Sequence, residues 1–425
     1  MLKRVERAAT RRKKFFDPWL ACIHPAILTL IDDALELANA SRLKRRATEK
    51  DRRAFRELAI AVVSNAAHAL ALGLNPPSVA VVLAKARRRA GRYDAASMRQ
   101  LDAVLAAIEP SLVTVTPSHK NGLASVLLPG ESLNECISGL EDFGPASFKR
   151  NSGGETIIVQ RVERDYASDT RETVKVDYHD TPKTQRMRSE LERINAALDS
   201  ARLEFLGSMP LDVHQRRLRR IFNTVNDAPQ FGLNGRLHGG WWETLERDQR
   251  HFIRIDGEPV ADLDFSAMFL RLAYAKAGLK PPDGDLYAGI IAGSPEEGSY
   301  RDGVKQIVNA MLARSTRLAR FPKGSKELLP KGCSAWSIRE DILARHSAIR
   351  EQFETGAALS LMRTESDILV AVLLRLIDRE IIALPMHDGL MVRWDCAETA
   401  AATMREVSLE LTGFELPVKM KALQP

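Results

Sequence analysis

Cysteine is scarce in this chain, with four among 425 residues: Cys22, Cys136, Cys333 and Cys396. They are scattered and form no C-x-x-C pair. Neither a zinc site nor a disulfide framework is suggested, and reduced thiols are expected. Long apolar runs are also missing. No stretch of about 18 such residues occurs, which argues against a transmembrane helix. The basic start Met1-Leu2-Lys3-Arg4 leads into Arg11-Arg12-Lys13-Lys14, not into the apolar segment of a signal peptide. A soluble, cytoplasmic protein without a membrane partner is therefore expected. Internal repeats and low-complexity tracts are absent too, which excludes solenoids. Hydrophobic residues make up 45% and charged residues 28%. These are globular proportions and exclude wholesale disorder. The length allows about two to four domains of roughly 100–200 residues.

Charge is present, but unevenly. Residues 1–130 hold 22 Lys+Arg against 11 Asp+Glu, a net of +11, and residues 131–425 carry a net of −4. Such asymmetry points to a polyanionic partner, most often nucleic acid.

Periodicity predicts helices over 20–40 and 53–73, the second with Phe55, Leu58, Ala59, Val62, Val63 and Ala66 on one face. Pro76-Pro77 can open a further helix at Ser78. It would end in the basic run Lys85, Arg87, Arg88 and Arg89. Another helix is expected over 94–108. Two β-like runs follow, 112–116 and 123–128, around an Asn121-Gly122 turn signal. Three helices and a hairpin is the order of a winged helix, in which Lys85–Arg89 would face phosphate. Strands are expected at 156–159 and 173–176, and a long helix over 183–207. The Gly-, Asn- and Pro-rich stretch 223–240 predicts loop. Beyond it the pattern runs β, α, β, as in a mixed α/β domain.

Three segments carry the chemistry. Val260–Phe265 is a short apolar strand that delivers Asp264 at its end, then turns into a helix. Arg301–Ala313, if helical, puts Arg301, Lys305 and Asn309 on one face. In the third, Ile381–Val392, two apolar runs flank His387-Asp388-Gly389, a hairpin with Asp388 at its tip. Each is weak alone, but their order is informative. Two aspartates from separate strands can hold two Mg²⁺ ions about 3.5–4 Å apart. A cationic helix opposite them can hold a triphosphate.

These segments resemble motifs of the family A DNA polymerases and the related single-subunit phage-type RNA polymerases. The first motif of the DNA enzymes, D-Y-S-x-x-E-L-R, is similar to Asp264-Phe265-Ser266-Ala267-Met268-Phe269-Leu270-Arg271. R-x-x-x-K is matched by Arg301 and Lys305, and H-D-E by His387-Asp388-Gly389. The template-contacting G-R-L element is matched by Gly235-Arg236-Leu237, and Q-G-T-A-A-D is echoed by Met362-Arg363-Thr364-Glu365-Ser366-Asp367. The resemblance covers roughly residues 230–425. It departs at Phe269, where the motif has Glu, at Ala313, where it has Tyr, and at Gly389, where it has Glu. No segment resembles the family's proofreading exonuclease.

The resemblance implies a right-hand polymerase of palm, fingers and thumb, preceded by a mainly helical, winged-helix-like N-terminal domain. The expected boundaries are 1–145 for the basic N-terminal domain, 146–235 for a linker and thumb-like region, and 236–425 for a palm with inserted fingers at about 276–359. Asp264 and Asp388 would bind two Mg²⁺ ions, or Mn²⁺, with help from the Phe265 carbonyl. Arg301, Lys305, Asn309 and Phe269 would line the nucleotide site. Arg236, Arg271 and His387 would touch template or primer. Trp241-Trp242 could stack on bases or pack in the core, and Tyr287 could enter the nucleotide pocket or be structural. Phe269 would crowd a 2′-hydroxyl, so the expected substrates are dNTPs on a primed template. The implied function is DNA-directed DNA synthesis in a nucleoid-associated protein, such as a mobile element would carry. An RNA polymerase or primase of the same fold, or an inactive replication initiator, is the alternative.

Overall fold

The computed structural model describes residues 14–42, 48–81, 83, 96–117, 125–150, 153–165, 170–209, 211–291 and 300–421. The chain divides into two compact units. One is Met1–Glu155 with Ser208–Gln215, and the other is Thr156–Gly207 with Arg216–Pro425. Among the described residues no helix is long and apolar enough to cross a membrane.

The first unit contains β1 (Lys14–Phe15), β2 (Leu20–Cys22), α1 (Pro25–Arg42), α2 (Glu49–Ala71), β3 (Val79–Val81), α3 (Leu101–Ile108), β4 (Val113–Thr116), β5 (Ser125–Pro129), α4 (Glu131–Ser138) and β6 (Phe148–Arg150). A reciprocal cap starts α2. The Asp51 N–H donates to Thr48 Oγ1 at 3.2 Å, and the Thr48 N–H donates to the Asp51 carboxylate at 3.1 Å. The expected apolar stripe faces the core, where Leu58, Val62 and Ala66 pack with Ile27, Ile31, Leu101, Ile108 and Leu127. Two expectations change. Residues 20–22 are not the start of a helix but a strand paired with β6. Likewise, no helix opens at Ser78. Val79 and Val81 are β-branched, are buried, and pair with β5. The expected hairpin is present as antiparallel β4 and β5, within a sheet of order β1-β3-β5-β4. The run Lys85, Arg87, Arg88 and Arg89 and the Asn121-Gly122 turn lie outside the described residues.

The second unit is mixed α/β. In chain order it contains β7 (Ile157–Asp165), β8 (Thr170–Lys175), α5 (Pro182–Ser200), β9 (Leu203–Phe205), β10 (Arg219–Asn223), β11 (Asn234–His238), β12 (Ile253–Ile255) and β13 (Glu258–Phe265). Then come α6 (Met268–Lys276), α7 (Arg301–Ala313), α8 (Ala335–Arg345), α9 (Ala358–Asp378), β14 (Ala383–Met386), β15 (Gly389–Arg393), α10 (Ala397–Thr412) and β16 (Val418–Lys421). Thr181 caps α5, Pro182 opens it, and Met187, Leu191, Ile194 and Leu198 form its buried stripe. It stops at Ser200, short of the expected 207, because Leu203–Phe205 pairs with β12 instead. The stretch expected as loop contains β11. Asn234–His238 pairs with β10, and its Gly235 and Leu237 alternate inward. One sheet has the order β11-β10-β7-β8. The other has the order β14-β15-β13-β12-β9, with β16 also on β13. Strand β13 is central to it, with β15 on one edge and β12 then β16 along the other.

Candidate active site

Strand β13 carries the first acid. Side chains alternate along a strand, so Asp262 and Asp264 share a face. Asp262 is buried and paired with Arg250 at 3.2 Å. Asp264, at the strand end, is half-buried and paired with Lys421 of β16. Burial lowers the pKa of Lys421 despite the nearby Asp262. Beyond Phe265 the chain turns through Ala267, whose φ of 50° is left-handed, and enters α6.

The second acid arrives on the β14–β15 hairpin. Its two-residue loop is His387-Asp388, and of the two only His387 has positive φ, at 54°. The register brings Gly389 opposite Asp264, and the Phe265 N–H donates to the Asp388 carbonyl at 3.1 Å. Asp388 therefore lies in the loop one residue before the strand partner of Asp264, and the two aspartates come from adjoining backbone positions. The glycine has a local reason. A Cβ at 389 would lie 2.2 Å from Asp264 Oδ1 and 2.3 Å from the Leu263 carbonyl oxygen. No L side chain fits there without displacing the first acid or its strand.

Other resembling segments converge on the hairpin. Arg236 of β11 donates from Nε and Nη2 to both oxygens of Glu365 on α9, at 2.6 and 3.1 Å. Glu365 is 1% exposed, and burial pushes its pKa up to about 7 against the pull of Arg236, with Asp388 adding to the rise. Arg236 also lies over the Phe269 ring, 5.4 Å from its centroid. The G-R-L-like and Q-G-T-A-A-D-like segments thus touch each other and reach the first motif. Buried Arg220 binds the same segment, donating to the Gly235 carbonyl at 2.9 Å and to Ser366 Oγ at 3.1 Å. Sequence reasoning passed over Glu365 and Arg220 as individual residues. The signal available was an acid in an apolar helix and an arginine in a strand, each needing a partner once buried. His387 is exposed, with its ring 6.4 Å from that of His238. Partial loss of water around it, with Arg236 and His238 nearby, lowers its pKa.

The cationic helix is present as α7. Tyr300, at φ 64°, precedes it. Arg301 pairs with Asp285, and its guanidinium lies 5.2 Å from the Tyr287 ring centroid. Tyr287 is buried, which pushes its pKa up to about 12, and Asp388 and Asp285 add to that rise while Arg301 opposes it. The Asp388 charge therefore reaches this group. Burial raises the pKa of Asp285, but the Arg301 guanidinium and the Tyr287 N–H outweigh it and hold the pKa below normal. Lys305 is exposed one turn on, and Asn309 is half-buried.

Other expected residues have structural partners. Arg271 is buried and donates to the carbonyls of Ser266, Pro282 and Gly284 at 3.0, 3.1 and 2.8 Å, which fixes the turn after α6. Trp241 and Trp242 are core residues, and Trp242 Nε1 donates to the Pro385 carbonyl at 2.8 Å. Among the described residues no group of three or more metal-ligating side chains occurs. Mg²⁺ takes one or two carboxylates and completes its shell with water and substrate phosphates, and of the two aspartates Asp264 is here paired with Lys421.

No family model matches the chain, and no curated protein matches it. Among solved structures it is similar to the POL domain of Pol1 from M. smegmatis, solved in complex with DNA primer-template and dNTP, with 10% identity and a TM-score of 0.28. The likeness covers 56% of this chain and 50% of that chain, so about half of that chain is spanned.

Proposed function

We propose that this chain carries out template-directed nucleotidyl transfer and synthesises DNA on a primed template. One observation carries the reading. Asp264 and Asp388 are far apart in sequence, yet the β13–β15 register sets Asp388 one residue from the strand partner of Asp264, which supports the reading. Of the seven left-handed non-glycine residues among the described residues, Ala267 and His387 lie within motif segments and Tyr300 directly precedes one. Such backbone costs of order 1–3 kcal/mol each and clusters at functional sites.

In this reading residues 236–275 and 360–425, with β12 to β16, α9 and α10, are the palm. Residues 276–359, with α7, are the fingers, and the thumb lies within about 180–235, whose β9 joins the palm sheet. Asp264, Asp388 and the Phe265 carbonyl would hold two Mg²⁺ or Mn²⁺ ions. When bound, such ions neutralise phosphate charge and make a 3′-hydroxyl a better nucleophile. The chain's own residues do the rest. Arg301 and Lys305 bind the triphosphate by charge-assisted hydrogen bonds. Glu365 holds Arg236 over Phe269 and so fixes the ring that crowds the sugar. Arg271 braces the turn between palm and fingers. His387 lies at the primer terminus, and the basic first unit adds affinity for the nucleic-acid backbone.

The test offers primed and unprimed templates, with dNTPs or rNTPs, in Mg²⁺. Extension of the primed template with dNTPs is expected, and Asp264→Asn should abolish it. Absence of extension under every condition, with tight DNA binding retained, would favour an inactive replication initiator. Synthesis on the unprimed template with rNTPs would favour a primase.

A further inference from the structure

The connection from α7 to α8, residues 314–334, holds no strand and no helix beyond the single 3-10 turn Lys326–Leu328. Loops longer than about 12–15 residues without regular structure are uncommon and usually functional. The sequence of this one has a period of three. Arg314, Arg317, Arg320, Lys323 and Lys326 recur at every third position, and Lys331 follows. These six cations stand against one acid, Glu327, a net of +5. Residues 131–425 as a whole carry a net of −4, so the loop runs against the charge of its surroundings.

The loop is held from within. The Leu318 N–H donates to Glu354 Oε1 at 2.6 Å, and Arg339 of α8 donates to the same carboxylate from Nε and Nη2 at 2.9 and 2.7 Å. The Gly356 N–H donates to the Arg314 carbonyl at 2.8 Å. Leu318, Ser325 and Leu329 are buried anchors. The far end presses on α7, where a Cβ at Gly303 would lie 2.6 Å from the Leu328 carbonyl oxygen. The cations lie between these inward positions. Arg314 is half-buried, whereas Arg317, Arg320, Lys323, Lys326 and Lys331 are exposed, and none of these five is ion-paired among the described residues. Trp336 follows directly, in the first turn of α8. That helix buries Ile338 and Ile342 and leaves the Trp336 indole 59% exposed.

We propose that residues 314–334 and Trp336 form a binding site for single-stranded nucleic acid. A row of unpaired cations on a braced loop follows a phosphate backbone and gains affinity by releasing its counterions. The exposed indole selects the single strand. Bases in a duplex are stacked on one another, whereas an unpaired base offers its face to an aromatic ring. Binding here needs no chemistry at Asp264 or Asp388, so the site goes beyond the nucleotidyl-transfer reading and does not depend on it.

The test follows the anisotropy of fluorescein-labelled oligothymidylate as the full chain is added, in EDTA and across a salt series. Replacing Arg317, Arg320, Lys323 and Lys326 together with glutamine should flatten the slope of log affinity against log salt by up to about 3, at roughly 0.7 for each phosphate contact on a single strand. Trp336→Ala should weaken binding by about five- to 150-fold, the worth of one stacked base. Trp394, 58% exposed elsewhere in the same unit, is the control, and Trp394→Ala should change nothing. An unchanged slope in the glutamine variant would show a solvated basic surface only. A flattened slope with full affinity in Trp336→Ala would show a general polyanion surface and overturn the single-strand assignment, as would a duplex of equal length that competes as well as the oligothymidylate. Photocrosslinking of 4-thiothymidine oligonucleotide to the wild-type chain decides the matter where a variant fails to fold. Adducts should map within residues 314–336, and their absence there would overturn the proposal. Primer extension is no part of the readout, so a chain without synthesis leaves this result standing.

Discussion

Replacing Gly389 by alanine should damage both stability and synthesis, and the geometry sets the scale. The added Cβ would sit 2.2 Å from Asp264 Oδ1 and 2.3 Å from the Leu263 carbonyl oxygen. The carboxylate could swing aside, but the carbonyl is backbone held in the β13–β15 ladder. Relief therefore requires the strands to part or Asp264 to turn away. Overpacking of this kind costs about 1–3 kcal/mol. At roughly 2–4 °C per kcal/mol for a unit of this size, Tm should fall by roughly 2–12 °C. Displacing a catalytic group by about 1 Å costs on the order of a hundredfold in rate. Primer extension should therefore fall by more than the melting shift explains. Gly389→Glu, which restores the residue of the resembling DNA polymerases, should be at least as damaging. Gly413→Ala is the control. That position has φ 78° with no atom within 4 Å of a Cβ, so it should cost roughly 1 kcal/mol of strain and no activity. Scanning calorimetry and single-turnover extension make the comparison. A Gly389→Ala enzyme with wild-type Tm and wild-type extension would refute the reasoning.

Asp388→Asn, like Asp264→Asn, should remove extension yet leave DNA affinity nearly intact, as gel shift and extension assays on one preparation would establish. Phe269→Ala should admit rNTPs about ten- to a hundredfold better, since a buried unpaired 2′-hydroxyl costs about 1–3 kcal/mol. Competition between dNTPs and rNTPs measures this, and an unchanged preference would remove Phe269 as the gate. Neutralising Lys85, Arg87, Arg88 and Arg89 together with glutamine should flatten the slope of log affinity against log salt by up to about 3–4. An identical slope would show that these charges do not touch phosphate. Stability should also depend on pH through His346, which is buried, accepts from the Tyr274 hydroxyl at 3.0 Å and donates to the Leu286 carbonyl at 3.1 Å. Burial, opposed by the Leu286 bond, lowers its pKa to about 4. As pH falls the unfolded chain takes up the proton first, near ~6.5. Stability is thus full above that value and declines toward pH 4 by on the order of 3 kcal/mol. Urea titrations across that range should show the decline, and His346→Gln should remove most of it.

Much of the architecture was written in local pattern. The stripe Met187, Leu191, Ile194 and Leu198, the helix Arg301–Ala313 and the hairpin around His387-Asp388 all lie where spacing placed them. Periodicity reports a face over three or four residues, so strongly patterned elements can be read without their neighbours. Strands β3, β9 and β11 could not be read that way. Each is three to five residues long and exists because a distant strand pairs with it. The strand end at Asp264 and the hairpin at Asp388 were legible, but their surroundings were not. Lys421 on Asp264, Glu365 under Arg236 and the closed space at Gly389 each join segments far apart in the chain. The same holds for Asp212, which packs with the first unit although it follows β9 of the second. Side-chain type and spacing determined which groups could do chemistry. Long-range pairing of strands decided which of them meet, because a contact between remote residues leaves no trace in either one's local sequence.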